Sequence, residues 1–213
     1  MSGLKSVPCP LPGAFRPWRI LCLPAILLIV SAFAPLQAGE KITGKVDYHF
    51  DRKISRPVLE NYLARSATVA SLLHLASEDD LRMMKNTGVK FAGRVIWMWG
   101  NESRIDDLVA KGAPFVKRLH EMDPDLILQG AIFEVVTTDV NEIPIPAAVF
   151  EEFGLPRESR NFSYKAMLYG FRHRHNHWYK DASVPDMSRL ETRMWFFYVA
   201  RRWIDMGLEA LHL

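Results

Sequence analysis

Short apolar runs alternate with amphipathic stretches along most of this chain. Val58, Leu59, Tyr62, Leu63, Ala67, Val69, Leu72 and Leu73 recur at helical spacing after Ser55, which predicts one helix from Ser55 to Leu73. Ser77-Glu-Asp-Asp80 has the form of an N-terminal cap for a short helix over Leu81, Met83 and Met84. Gly88 ends that helix by supplying a left-handed residue. Residues 89–99 are apolar and β-branched and predict a buried strand, and Ser103 opens a helix through Leu108, Val109, Phe115, Val116 and Leu119. After the turn Asp123-Pro124-Asp125, residues 126–137 form a second apolar strand. Residues 138–187 carry little periodicity beyond a helix at 147–153. Ser188-Arg-Leu-Glu191 then reads as a capping box for the strongest helix, along Leu190, Met194, Phe197, Tyr198, Ile204 and Met206. Gly207 ends it, and residues 208–213 start a further strand; 42–50 is a weak one.

Continuous apolar strands separated by amphipathic helices predict an α/β fold, a parallel sheet covered by helices. A closed (β/α)8 barrel of the TIM type and an open doubly wound sheet compete. No glycine-rich dinucleotide loop follows any strand, and a long irregular segment after a strand suits a barrel, whose sites lie on such loops. The barrel is the expectation, and no cofactor is predicted. Four strands are about half of what a barrel needs. The last strand stops at Leu213 without a closing helix, so residues 39–213 are expected to be the N-terminal half of a longer barrel.

Composition changes the picture at the N-terminus. Lys5, Arg16 and Arg19 precede an apolar run from Ile20 to Phe33, and Ala34-Pro35-Leu36-Gln37-Ala38 follows. This is the pattern of a secretory signal peptide, residues 1–38, cut after Ala38. The rival reading is an uncut signal retained as a membrane anchor; the run is about 15 residues and holds Pro24, short of the roughly 20 of a spanning helix, so cleavage with no stable membrane span afterwards is the expectation. The expected location is secreted or periplasmic. The signal holds three of the 27 basic residues and none of the 24 acidic ones, leaving 24 of each in the remainder. That balance, with interspersed charges, excludes the basic face that nucleic-acid binding requires. Cys9 and Cys22 leave with the signal, so the remainder has no disulfide to form.

Glu134 is the candidate catalytic residue. A carboxylate near the C-terminal end of an apolar strand is placed to act as acid, base, nucleophile or metal ligand. The structural alternatives are a charge turned to solvent and a buried ion pair with Arg94. Arg94 and Trp99 belong to the neighbouring strand and its end and are candidates for substrate binding, Trp99 facing the site while Trp97 packs in the core. Arg172, His173, His175 and His177 form a third group, and Asp186 stands near the start of the last helix. In an extended conformation, period two puts the three histidines on one side. That arrangement leaves two readings open, a polar loop that binds an anion or sugar hydroxyls through Arg and His, and a metal-dependent hydrolase. The spacing is tight for tetrahedral ligation, so no metal is assigned. Asn101-Glu-Ser103 and Asn161-Phe-Ser163 match the glycosylation acceptor pattern, and no nucleophile-elbow motif is present.

Residues 55–63 (Ser55-Arg-Pro-Val-Leu-Glu-Asn-Tyr-Leu), 126–137, Ser183-Val-Pro-Asp186 and 189–213 together resemble a group of bacterial (β/α)8-barrel proteins similar to glycoside hydrolases. The resemblance implies a barrel and a carbohydrate partner. In many retaining barrel glycosidases the acid/base carboxylate follows the fourth strand, which the resemblance puts beyond Leu213. A glycoside-hydrolase-like protein using Glu134 is the expected function, and a non-catalytic carbohydrate-binding or structural protein is the alternative.

Overall fold

The first helix is shorter than its apolar spacing predicts. A computed structural model describes residues 54–213, so the signal peptide and the strand expected at 42–50 lie outside the described residues. Helix α1 covers Arg56–Ala64, with Pro57 in its first turn, where no backbone N–H is needed. The chain then extends, and Ser66–Thr68 forms β1, paired in parallel with β2, Phe91–Ile96, so that Ser66 lies opposite Phe91. Helix α2, Leu72–Leu75, follows β1. The single helix expected from Ser55 to Leu73 is therefore two helices with a strand between them. Ala67 fits a helical stripe with Val69 and Leu72, but pairing with a segment more than twenty residues away decides the conformation of Ser66–Thr68, as tertiary context often does for short runs.

Helix α3, Glu78–Thr87, forms as the sequence predicts. The Ser77 hydroxyl accepts the Asp80 N–H at 3.2 Å, the Asp80 carboxylate accepts the Ser77 N–H at 3.0 Å, and Gly88 closes the helix at φ +62°. Helix α4, Ile105–Met122, begins two residues after Ser103, behind a 3-10 turn at Glu102–Arg104. It buries Ile105, Phe115, Val116 and Leu119.

The run 126–137 is not one strand. Strand β3, Ile127–Ala131, pairs in parallel with β2. The chain leaves the ladder at Ile132 and re-forms as β4, Val136–Thr137, paired antiparallel with β5, Ala182–Ser183, in a separate two-stranded sheet. Between them lie α5, Ala147–Glu152, and α6, Tyr164–Met167. Helix α7, Leu190–Asp205, leads to β6, Ala210–His212. The capping box expected at its start does not form. Glu191 is buried and turns to Arg160, accepting from Nη1 at 2.8 Å and Nη2 at 3.0 Å, and it also takes the Ser163 N–H at 2.8 Å. A fixed cation at a buried carboxylate outweighs a local backbone donor. Ser188 instead donates to Asp186.

The fold is α/β. Four parallel strands stand in the order β1-β2-β3-β6, each new strand added on the same side of the last. The two faces of this sheet differ. Ala92 and Leu128 are fully buried on the helix-covered face, where a Cβ at Gly130 would lie 2.9 Å from Trp203 of α7. On the other face, a Cβ at Gly93 would lie 3.3 Å from Gln129 Oε1 and 3.7 Å from Thr68 Oγ1. That face is polar and forms an open depression of about 470 Å³ with His212 on its edge strand. Among the described residues, no helix is long and apolar enough to cross a membrane.

Candidate functional site

The C-terminal ends of parallel strands gather loop residues from successive βα units, which is where α/β proteins place their ligands. Here a cleft of about 740 Å³ opens at the ends of β1, β2 and β3. Thr68 and Ala70 come from β1 and its loop, His74 from α2, Arg94 and the segment Trp97-Met98-Trp99 from β2 and its end, and Phe133 from the loop after β3. Asn101 and Arg104 complete one side.

An aromatic row starts among the cleft-lining rings of Trp97, Phe133 and Trp99 and continues to Trp178 beside the cleft. The Trp97 ring lies 5.3 Å from His74 and 6.0 Å from Phe133; Trp99 meets Phe133 edge-on at 5.5 Å and Trp178 at 4.7 Å. Trp97 is held by two hydrogen bonds, its indole N–H to Ser71 Oγ at 3.1 Å and its backbone N–H to His74 Nε2 at 3.3 Å. Because Nε2 accepts, the His74 proton sits on Nδ1 and the ring is neutral. Burial lowers its pKa, and the Lys111 and Arg104 charges act in the same direction. Trp97 is thus a cleft residue as well as a packed one, and sequence pattern placed it only in the core.

Arg94 has an unusual backbone. Its φ is +57°, and the pairing of β2 with β3 slips between Ala92 and Ile96. For a residue with a Cβ this left-handed conformation costs about 1–2 kcal/mol. Regular alternation would put residue 94 on the face of Ala92, beneath the helices. The bulge instead leaves Arg94 exposed while Val95 and Ile96 are both fully buried. The guanidinium donates from Nη2 to His212 Nε2 at 3.2 Å and lies 5.7 Å from the Phe133 ring centre. The ion pair with Glu134 considered from sequence is therefore replaced by a bond to β6.

Glu134 is exposed on the loop after β3, not on a strand. Its carbonyl accepts the Trp178 indole N–H at 3.3 Å, and its carboxylate makes no hydrogen bond or ion pair among the described residues. It is not among the residues that line the cleft. The histidine segment is not extended, because Arg172–Arg174 is a 3-10 turn, so the backbone condition for the one-sided arrangement is not met. Within it, Arg172 is exposed, His173 occupies the middle of the turn, and His175 Nε2 bonds to the Tyr169 carbonyl at 2.7 Å. His177 packs edge-on against Trp178 at 4.7 Å, which joins it to the aromatic row. No group of three His, Cys, Asp or Glu side chains able to hold a metal occurs among the described residues. Asp186 accepts the Ser188 hydroxyl at 2.7 Å and the Ser188 N–H at 3.0 Å, with Arg189 at 3.5 Å. The Ser188 hydroxyl bond, with the other two contacts, holds its pKa below the ordinary carboxylate range. The structure thus brings Arg94 and Trp99 together, with Glu134 and His177 one contact removed and Arg172, His175 and Asp186 elsewhere on the 138–187 segment.

Glu102 is not among the residues singled out from sequence, where Asn101-Glu-Ser103 only matches the glycosylation acceptor pattern. It is 2 % exposed, and its two oxygens accept the Thr137 N–H at 2.8 Å and the Thr137 hydroxyl at 2.5 Å. With both oxygens engaged, it pins the loop after β2 to β4. Burial raises its pKa against the opposing hydrogen bonds from Thr137. A raised value favours the neutral form in the fold. The associated stability is complete below the unfolded pKa and is lost as pH rises through the folded one. Urea unfolding of the wild type and Glu102→Gln from about pH 4 to pH 7 is expected to show the wild type losing stability relative to the variant. A difference that stays constant with pH contradicts the assignment.

No protein-family model, no curated protein and no solved structure matches this chain.

Proposed function

We propose that this chain is an extracytoplasmic carbohydrate-binding protein whose sheet is one part of a (β/α)8 barrel wall. The observation that carries the reading is the row Trp97–Phe133–Trp99 along a cleft at the strand ends, extended beside it by Trp178 and flanked by hydrogen-bonding groups of Thr68, Asn101, Arg94 and Arg104. A pyranose ring has an apolar C–H face and a rim of hydroxyls. It is matched by aromatic rings beneath and a few polar groups at the edge. Strands added in sequence order on one side, helices on one face and a polar depression on the other support the barrel. The N-terminal export pattern supports action outside the cytoplasm.

Glycoside hydrolysis needs two carboxylates flanking the scissile bond. Among the described residues no acidic side chain lines the cleft, and Glu134 stands outside it, so binding is the reading the geometry favours. Calorimetric titration of the full chain with a panel of neutral, uronate-containing and sulfated trisaccharides is expected to give saturable binding by members of the panel. Absence of binding by every member contradicts the proposal.

A further inference from the structure

We propose that the cleft selects sugars that carry a negative charge, as a carboxylate or a sulfate, and that Arg94 is the residue that reads that charge. The inference rests on the cleft being a carbohydrate site and goes beyond it by naming the substrate class.

Charge is the first argument. Arg94 and Arg104 line the cleft, and among the described residues no aspartate or glutamate does. Elsewhere most of the described arginines have carboxylate partners: Arg118 has Glu78, Arg160 has Glu191, Arg201 has Asp205 and Arg202 has Asp106. Neither Arg94 nor Arg104 has one among the described residues. A cleft with two uncompensated guanidinium groups attracts an anion, and its low-dielectric aromatic walls strengthen the field.

Backbone geometry is the second argument, and it is independent of the first. A left-handed residue inside a strand suits glycine, yet arginine occupies the position. The bulge there moves the side chain off the helix-covered face and leaves it exposed at the cleft, which is what bulges beside binding sites do. Two contacts then fix the guanidinium, the bond to His212 and the Phe133 ring below it. One of its five N–H donors is used on His212. The others remain for a planar anion, and the fork matches carboxylate and sulfate oxygens in pairs.

A structural role, stapling β2 to β6 through His212, predicts something different, and Arg94→Gly separates the two. Glycine accepts φ +57° without strain, so the variant is expected to fold with an undiminished melting temperature. On the same panel, the wild type is expected to bind trigalacturonate and a sulfated trisaccharide about tenfold or more tighter than a neutral trisaccharide. Fully methyl-esterified trigalacturonate, which keeps the ring and loses the charge, should fall to the neutral level. Arg94→Gly and Arg94→Gln should bring acidic and neutral members to the same affinity. Equal wild-type affinity for the acid and its ester overturns the charge inference while leaving carbohydrate binding intact. Retention of the acid preference in both variants overturns the assignment to Arg94. Failure of every member to bind removes the underlying reading and this inference with it.

Discussion

Trp203→Ala is expected to lower the free energy of unfolding by about 3–5 kcal/mol. Trp203 is fully buried on α7, under β3, where Gly130 leaves room for it. Removing the indole opens a cavity at the contact between the last helix and the sheet, and a domain with roughly 5–15 kcal/mol in total loses a large share of its stability. The indole N–H finds no acceptor among the described residues. An unpartnered buried donor carries a penalty of about 1–3 kcal/mol, so Trp203→Phe, which removes that donor and keeps most of the ring, should lose less than half as much as alanine. Urea unfolding of both variants measures the pair of values. An alanine variant within about 1 kcal/mol of the wild type would mean that α7 does not pack on β3 as described.

The second large effect is on binding. Trp99→Ala is expected to weaken the tightest sugar of the panel by about tenfold to hundredfold, about 1.4–2.8 kcal/mol. Trp99 is the better target than Trp97. The Trp97 ring is tied to Ser71 and its backbone to His74, so its loss disturbs α2 and the loop before it. Trp99 is half-buried and holds its ring by packing on Phe133 and Trp178. Its removal should therefore lower affinity much more than stability. Calorimetry with the variant, beside a thermal melt, checks this; unchanged affinity would take Trp99 out of the site.

Local chemistry was legible in the sequence where it stayed local. Ser77, Asp80 and Gly88 lie within one helix and specify its start and stop, and the structure follows them. The parallel sheet was legible in kind because β2 and β3 are buried apolar runs. What the sequence could not show depends on segments that meet only after folding. Ser66–Thr68 is a strand because β2 pairs with it, although its residues are all exposed and sit inside a helical stripe. The cap at Ser188 and Glu191 is lost to Arg160, thirty-one positions away in sequence. Arg94 and Trp99 could be grouped from sequence because both come from the run 89–99, and both line the candidate cleft. His74, Phe133 and Glu102 could not be, since their roles arise from α2, the loop after β3 and the contact with Thr137. The histidine segment is not extended, for the same reason. Its period-two spacing presumes extended backbone, and the bond from the Val184 N–H to the Arg174 carbonyl belongs to a folded loop instead.

Indole N–H NMR spectra of the full chain, recorded as the tightest-binding sugar of the panel is added, test the site most directly. Resonances are assigned by single Trp→Phe variants. The signals of Trp97, Trp99 and Trp178, which form the aromatic row, should shift with saturation, and those of the core residues Trp195 and Trp203 should stay in place. Saturable binding with no shift at Trp97, Trp99 or Trp178, or with shifts confined to Trp195 and Trp203, would contradict the placement of the sugar in this cleft.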